Sequence, residues 1–233
     1  MRKVFIKILL FGLLGGLFGG YLFVSISNNY SANISQVAVS TPSITINPAQ
    51  GFWDKIVSES SFTSLGLQVF QADKLIKQGS GIIVSSDGLI VTVADLIAPG
   101  AVYQIFYGDK ILRGTLIAWD YNLNLALIKT DSSYSNVVDL NERNYDSGEE
   151  VVLAGKLFDV SKPVIFSQRG TISYITEKSA VIDTIVNKNL SGAGVIDVRG
   201  DFIGLAYLRN SRVNLVKASF VEKFFQEYLL KNK

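Results

Sequence analysis

Apolar and polar residues alternate with a period of two through most of the chain after residue 62, which predicts β-strands. Turn sequences such as Ser86-Asp87-Gly88 and Tyr107-Gly108-Asp109 separate the runs. The first series of runs is Ser64–Gln71, Gly79–Ser85, Leu89–Val93, Val102–Tyr107, Ile111–Trp119 and Leu125–Thr130.

A polar bridge, Asp131–Gly148, leads to a second series of strands. Its runs are Glu150–Leu157, Val164–Ile175, Ala180–Ile185, Gly194–Asp197, Phe202–Leu208 and Val213–Val216. Two such series joined by one linker predict an all-β fold of two six-stranded antiparallel barrels, about 62–131 and about 149–217. The predicted core consists of Ile83, Val91, Ile117, Leu125, Leu127, Val152, Ile182, Val195, Ile203 and Leu205.

Residues 219–231 change to a helical period and predict a C-terminal helix. Ser219 and Glu222 have the spacing of a capping box at its start. One face of the helix is apolar and carries Val221, Phe224, Phe225 and Tyr228. We interpret this stripe as a packing face, with a binding face as the alternative.

The first 24 residues predict a transmembrane anchor. Ile8–Val24 is a run of 17 uncharged, mostly apolar residues, which is long enough to span a bilayer. Arg2, Lys3 and Lys7 all precede the run, which predicts a single-pass topology with a cytoplasmic N-terminus and an extracytoplasmic domain. The alternative is a signal peptide cleaved near Ser25-Ile26-Ser27, although the apolar region of a signal peptide is usually shorter.

Smaller features lie within and after the anchor. Gly12, Gly16 and Gly20 recur every four residues and favour a homodimer of anchor helices, although glycine is common in membrane helices generally. Residues 25–47 are rich in Ser, Asn and Thr and predict a flexible linker. A short helix is expected from Asn47, with Pro48 at its first position, and it opens the domain 48–233.

Composition excludes several classes of site. The 233 residues include 22 basic and 20 acidic side chains, with no cysteine and no histidine. Three of the basic residues belong to the anchor, so 19 remain against 20 acids, and no basic footprint for nucleic acid is left. Without cysteine or histidine the chain lacks disulfides, thiolate nucleophiles and the commonest metal ligands. We therefore expect no metal site and no cofactor.

One loop carries the candidate chemistry. Asn187–Asp197 is a polar, glycine-bearing segment between two predicted strands, and Ser191 lies in its tight turn. Catalytic residues commonly occupy such loops on a rigid scaffold. A serine hydroxyl becomes a nucleophile only beside a positioned base, and a chain without histidine has no Ser-His-Asp triad.

Four blocks of sequence, taken in chain order, follow the pattern of one known family. Gly79–Thr92 is similar to G-S-G-F-I-I-S-x-D-G-x-I-L-T, and Asp120–Lys129 is similar to D-x-x-T-D-L-A-L-L-K. Ser147–Gly155 resembles G-D-x-V-x-A-I-G, and Asp183–Val195 resembles D-x-x-I-N-P-G-N-S-G-G-P-L. The chain thus resembles the trypsin-like serine proteases of the HtrA/Deg type over roughly residues 47–230, which implies their double-barrel fold. We expect no counterpart of that family's C-terminal PDZ domain.

The resemblance assigns catalytic positions, and this chain departs from the family at most of them. The nucleophile position holds Ser191, but the position of the general base falls on Asp95 and that of the orienting aspartate on Asn124. The oxyanion hole would be formed by Asn189, in place of a glycine, and Ser191. Aspartate is ordinarily much more acidic than histidine, so it accepts a proton poorly near neutral pH. Lys188 is the alternative base, as in Ser-Lys enzymes.

These departures predict a catalytically inactive HtrA-like domain that is held on the cell membrane and binds a peptide or protein outside the cytoplasm. The alternatives are a weakly active or unconventional endopeptidase that uses Ser191 and a structural subunit of an envelope complex. Peptide binding along a strand edge needs no proton transfer. We therefore expect the edge Val213–Val216 and the loop Asn187–Ala193 to accept an extended peptide.

Overall fold

The computed structural model describes residues 53, 57–58, 63–141, 143–159 and 162–232 of the chain. The predicted anchor, the linker and most of the short helix expected from Asn47 lie outside these residues. Trp53, Val57 and Ser58 belong to that expected helix and have helical backbone. No helix within the described residues is both long and apolar enough to cross a bilayer.

The first strand series closes into an antiparallel barrel with the order β1-β2-β3-β6-β5-β4. The strands are β1 (Ser64–Gln71), β2 (Lys74–Ile83), β3 (Leu89–Thr92), β4 (Val102–Tyr107), β5 (Lys110–Asp120) and β6 (Leu125–Lys129). β2 begins earlier than predicted because Ala72 and Asp73 both take positive φ, 49° and 59°, and form a two-residue hairpin turn. The hairpin therefore extends well beyond the glycine-rich block that indicated β2.

The second series closes into a separate antiparallel barrel with the order β10-β11-β12-β9-β8-β7. Its strands are β7 (Glu150–Asp159), β8 (Lys162–Ile175), β9 (Ser179–Asp183), β10 (Gly194–Asp197), β11 (Phe202–Arg209) and β12 (Arg212–Lys217). The prediction of two six-stranded antiparallel barrels is confirmed.

The turn before β3 shows why glycine is required there. Gly88 has φ +105°, and a Cβ at this position would lie 2.3 Å from the carbonyl oxygen of Thr130. The close approach lets Thr130 N–H donate to the Gly88 carbonyl oxygen over 3.0 Å. The turn is thus fastened to the chain that leaves β6.

The predicted core positions are buried with one exception. Ile117 is only half-buried, because a β-bulge shifts the register of β5 against β6 between Leu116 and Ala118 and interrupts the alternation of faces. The period of two that predicts β5 contains no sign of this bulge.

The C-terminal helix, α1, spans Ala218–Lys231, and its capping box is absent. The N-cap is Lys217, which makes no side-chain capping bond, because β12 runs directly into the helix and places Ser219 inside the first turn. The apolar stripe is a packing face, as predicted. Val221, Phe224 and Phe225 are buried in one cluster with the core of the first barrel.

That same cluster also holds side chains from the second barrel, namely Phe202, Leu205, Tyr207 and Val216. One face of β11 and β12 therefore packs on the first barrel and its helix, while Ile203 and Ala206 of β11 lie in the core of the second barrel. The shared cluster fixes the junction at which the candidate site lies.

Candidate active-site cleft

Ser191 follows a 3-10 turn, Lys188–Leu190, in the loop between β9 and β10. The residue is 8% exposed. Ser80 N–H, in β2, donates to the Ser191 carbonyl oxygen over 3.0 Å, and Gly192 N–H donates to the Ala206 carbonyl oxygen in β11 over 2.8 Å. The loop is therefore tied to both barrels, and Ser191 is held at their junction.

Gly192 makes this close approach possible. Its φ is +82°, and a Cβ would lie 1.9 Å from the carbonyl oxygen of Ser80. The Ser80 carbonyl also accepts a hydrogen bond from the buried Thr92 hydroxyl over 2.7 Å. A side chain at residue 192 would therefore displace either the loop or this buried contact.

The Asn189 backbone N–H, one of the predicted oxyanion donors, is already engaged. Asn187 is the N-cap of the 3-10 turn, and its side-chain oxygen accepts from Asn189 N–H over 3.0 Å. The Asn189 side chain is also held, because Gln78 Nε2 donates to its Oδ1 over 3.2 Å. In this conformation the Asn189 N–H is occupied by its own loop and is not free to donate to a substrate.

Asp95 and Asn124 make two hydrogen bonds to each other, between the turn after β3 and the turn before β6. Asp95 lies in a 3-10 turn, Ala94–Leu96, and Asn124 precedes β6 with φ +57°. Asn124 Nδ2 donates to Asp95 Oδ2 over 3.1 Å, and Asp95 N–H donates to Asn124 Oδ1 over 2.9 Å. Asn124 therefore orients the Asp95 carboxylate through a neutral amide.

Lys77 is a residue of this site that no sequence motif indicates. Its Nζ donates to the carbonyl oxygens of Asp95, over 2.7 Å, and Ile97, over 2.8 Å. It thereby holds the turn Ala94–Leu96 against β2. Barrel closure brings β2 and the turn Ala94–Leu96 together. In the sequence, Lys77 is a single lysine before the glycine-rich block, and nothing around it indicates which residues it contacts.

A cleft of about 470 Å³ opens beside Ser191. It brings together the predicted residues Asp95, Asn189 and Ser191, and Lys188 lines it as well. Asn124 lines a second depression of about 320 Å³, and the two depressions share Asp95. Within the described part of the chain, no side chain forms a hydrogen bond with Ser191 Oγ.

This architecture agrees with a sequence comparison. The family model for the trypsin-like peptidase domain matches residues 79–205, which run from β2 through the Ser191 loop to β11. The chain belongs to the trypsin-like peptidase family. Its similarity to HtrA and DegP proteins places it with the HtrA-like members of that family.

The relatives are proteases of greater length. Mouse serine protease HTRA4 is 31% identical over 172 residues, which cover 66% of this chain and 36% of that protein. A probable periplasmic serine endoprotease, DegP-like, from Bartonella henselae is 28% identical over 68% of this chain and 33% of the relative. This chain thus matches about a third of the curated relatives it resembles. The crystal structure of the serine endoprotease from Yersinia pestis superposes with a TM-score of 0.67 at 17% identity, covering 78% of this chain and 68% of that one.

The structure brings into contact the two residues that the sequence resemblance assigns to a base and its orienting partner. A triad base takes the serine proton because imidazole titrates near neutral pH. The residue predicted at the base position is Asp95, and its carboxylate accepts a hydrogen bond from Asn124, the predicted orienting residue.

Proposed function

We propose that this chain is a membrane-anchored, catalytically inactive HtrA-like protein that binds an extended peptide or protein segment in the cleft beside Ser191. The Asp95–Asn124 pair is the observation that carries the proposal, since it fills the base position with a carboxylate already bonded to an amide. The engaged Asn189 N–H adds a second obstacle to proton-transfer chemistry. Binding through main-chain hydrogen bonds needs neither group.

The β2 edge supplies one set of main-chain groups for such binding. Ile83 N–H donates to Thr63 on the β1 side, whereas Val84 N–H and Ser80 N–H donate on the opposite side. Because orientation alternates along a strand, Gln78 N–H and C=O also face this opposite side. β3 pairs with β2 only at Ile82 and Ile83, so it does not reach Gln78.

The β11 edge supplies a second set. Ala206 N–H and C=O bond to the Ser191 loop, at Ala193 and Gly192, so the next residue with the same orientation is Leu208. β10 pairs with β11 only as far as Leu205. Leu208 therefore presents its backbone beyond the end of β10, close to the nucleophile loop.

The predicted docking edge Val213–Val216 is wrong. β12 pairs with β11 along one side and with β9 along the other through these same four residues. Closing the barrel consumes both edges of β12, and no backbone groups remain there for a peptide. We therefore assign the proposed binding edge to the neighbouring strand, at the end of β11.

The competing function is an unconventional serine endopeptidase in which a lysine activates Ser191. Lys77 and Lys188 line the same cleft as Ser191, which is the arrangement that such chemistry needs. Lys77 Nζ, however, is engaged with two carbonyl oxygens, and Lys188 makes no hydrogen bond to Ser191 within the described structure. The proposal of an inactive, peptide-binding protein therefore accounts for the contacts of these two lysines better than an endopeptidase does.

Membrane anchoring and an extracytoplasmic location are part of the proposal. They are supported by the apolar run Ile8–Val24 and the basic residues before it. The Bartonella relative is named as periplasmic, which is consistent with a domain that works outside the cytoplasm.

Casein digestion and fluorophosphonate labelling of the full chain test the proposal that the protein is catalytically inactive. We expect no cleavage and no labelling above the level of the Ser191→Ala variant, with trypsin as the positive control. Partner capture from membranes should be nearly unchanged in Ser191→Ala, because the hydroxyl is one contact among many. Casein cleavage that Ser191→Ala abolishes would overturn the proposal in favour of an endopeptidase.

A further inference from the structure

Positive charge is concentrated around the cleft. Lys77 and Lys188 line the depression beside Ser191, and Lys178 and Arg209 line the depression that adjoins it. Asp95 is the acidic residue lining both. The cleft and the adjoining depression, which we call the cleft region, thus have four cationic side chains against one carboxylate.

The excess of cations is local to the cleft. The chain beyond the anchor has nearly equal numbers of basic and acidic residues. The described ion pairs join Lys129 to Asp87, and Arg143 and Arg199 to acids outside the cleft. No ion pair between described residues uses the cleft cations, so their charges are not neutralised within the described structure.

The cationic side chains around the cleft differ in whether they make hydrogen bonds within the described structure. Lys77 is committed to the carbonyl oxygens of Asp95 and Ile97. Lys188 and Arg209 are exposed, and they line different depressions that share Asp95. Asp95 itself repels a carboxylate, so charge complementarity is greatest on either side of the cleft centre.

We infer that the segment bound in this cleft is acidic, with carboxylates beside Lys188 and Arg209 and an uncharged residue opposite Asp95. The inference rests on the proposed peptide-binding function and specifies the class of peptide. Apolar Leu75 and Ile76 line the same depression as Lys188 and are 41% and 38% exposed, so aliphatic side chains fit between the acids.

A peptide satisfies these features better than another polyanion does. Among the described residues, the backbone of Gln78 and of Leu208 has no partner on the side away from β1 and β12, and a peptide main chain supplies matching donors and acceptors. The exposed aliphatic side chains likewise favour a partner with apolar groups. Polyphosphate carries the charge without either group, and an anionic lipid has apolar chains but no peptide main chain.

The test uses the full chain in detergent and fluorescein-labelled decapeptides of alternating valine and glutamate, with glutamine in place of glutamate as the isosteric neutral probe. Fluorescence anisotropy should show tighter binding of the glutamate peptide, with a preference that falls as salt rises. Lys188→Glu and Arg209→Glu should each weaken that binding roughly fivefold, because exposed charge pairs make modest contributions. Lys110→Glu and Lys223→Glu change net charge equally at exposed positions outside the two depressions and should leave it unchanged.

The outcomes separate the inference from the function on which it rests. Equal binding of the glutamate and glutamine peptides to the parent chain overturns the acidic preference and leaves peptide binding standing. Binding of neither peptide overturns both. Competition by polyphosphate or by mixed micelles of phosphatidylglycerol and the same detergent, as effective as that by unlabelled glutamate peptide, also overturns the inference, since the cleft would then be a general anion site. Equal losses of glutamate-peptide affinity in the variants at Lys188 and Arg209 and in the control variants at Lys110 and Lys223 also overturn the inference.

Discussion

At the scale of single residues, the cleft joins a tight serine turn to an aspartate–asparagine pair. Ser191 and Gly192 form a turn that hydrogen-bonds to both barrels. Asn124 donates to the Asp95 carboxylate at the positions that the sequence predicts for an orienting residue and a base. The proposed inactivity would thus depend on these two side chains.

Restoring the two changed side chains tests this account. In the double variant Asp95→His, Asn124→Asp, fluorophosphonate labelling of Ser191 should be at least about tenfold faster than in the parent, because a positioned general base typically contributes 10²–10⁴-fold. The rate should stay below that of trypsin while Asn187 holds the Asn189 N–H. The same double variant with Ser191→Ala is the control. Absence of labelling would contradict the proposal that the lack of a general base is by itself enough to make the chain inactive.

Gly192→Ala tests the close approach of the loop to β2. The substitution should lower the free energy of unfolding by about 1–3 kcal/mol more than Gly148→Ala does, because the added methyl group overpacks the contact with β2. Both glycines have positive φ, +82° and +93°, but only residue 192 would place its Cβ against Ser80, whereas residue 148 has open space. Urea unfolding of both variants gives the comparison. Equal losses would mean that left-handed backbone strain alone explains the need for glycine.

At the scale of elements, the strands owe their positions to the alternation of apolar side chains, while their partners decide how each edge is used. β12 has both edges paired, whereas β2 of the first barrel and β11 of the second each extend beyond their pairing with β3 and β10 among the described residues. Helix α1 lacks a side-chain cap and is held by burial of its apolar face instead. Helices in proteins draw most of their stability from such packing.

Truncating one buried side chain in each barrel tests the assignment of strand faces. Leu127→Ala in β6 and Ile203→Ala in β11 should each lower the free energy of unfolding by about 2–5 kcal/mol, since both residues are fully buried and leave cavities. Ile111→Ala and Ile165→Ala are matched controls, because these residues are 63% and 54% exposed. The controls should change stability by less than about 0.5 kcal/mol. Losses that small at Leu127 and Ile203 would contradict the observed core.

At the scale of the whole molecule, the junction between the barrels is the region to which we assign the proposed function. The cluster formed by the first barrel, helix α1 and one face of β11 and β12 makes the two barrels one structural unit. The cleft with Ser191 and Asp95 opens at this junction. An anchor before the domain would then present the cleft to partners outside the cytoplasm.

Protease treatment of spheroplasts tests that topology. Protease added outside should digest the chain from Trp53 onward while an epitope fused to the N-terminus stays protected and membrane-bound, because the basic residues precede the apolar run. Detergent lysis, which exposes the epitope, is the control. A domain protected before lysis, or a soluble domain with a new N-terminus near Asn28, would contradict the anchor.

Local patterns in the sequence determined much of this protein. The period of two located the strands, since each strand buries alternate side chains whichever strand pairs with it. Composition alone removed histidine, and with it the usual triad. The motif blocks indicated the fold and located Ser191, Asp95 and Asn124 as candidate site residues.

Tertiary structure decided what depends on contacts between distant segments. Barrel closure occupied both edges of Val213–Val216, a bulge left Ile117 only half-buried, and the continuation of β12 into α1 removed the capping role of Ser219. The contact between Lys77 and the Asp95 turn and the engagement of Asn189 N–H also emerged only in the folded chain. Hydrogen-bond partners and strand edges are settled by chain topology, and a one-dimensional pattern of side chains does not contain that information.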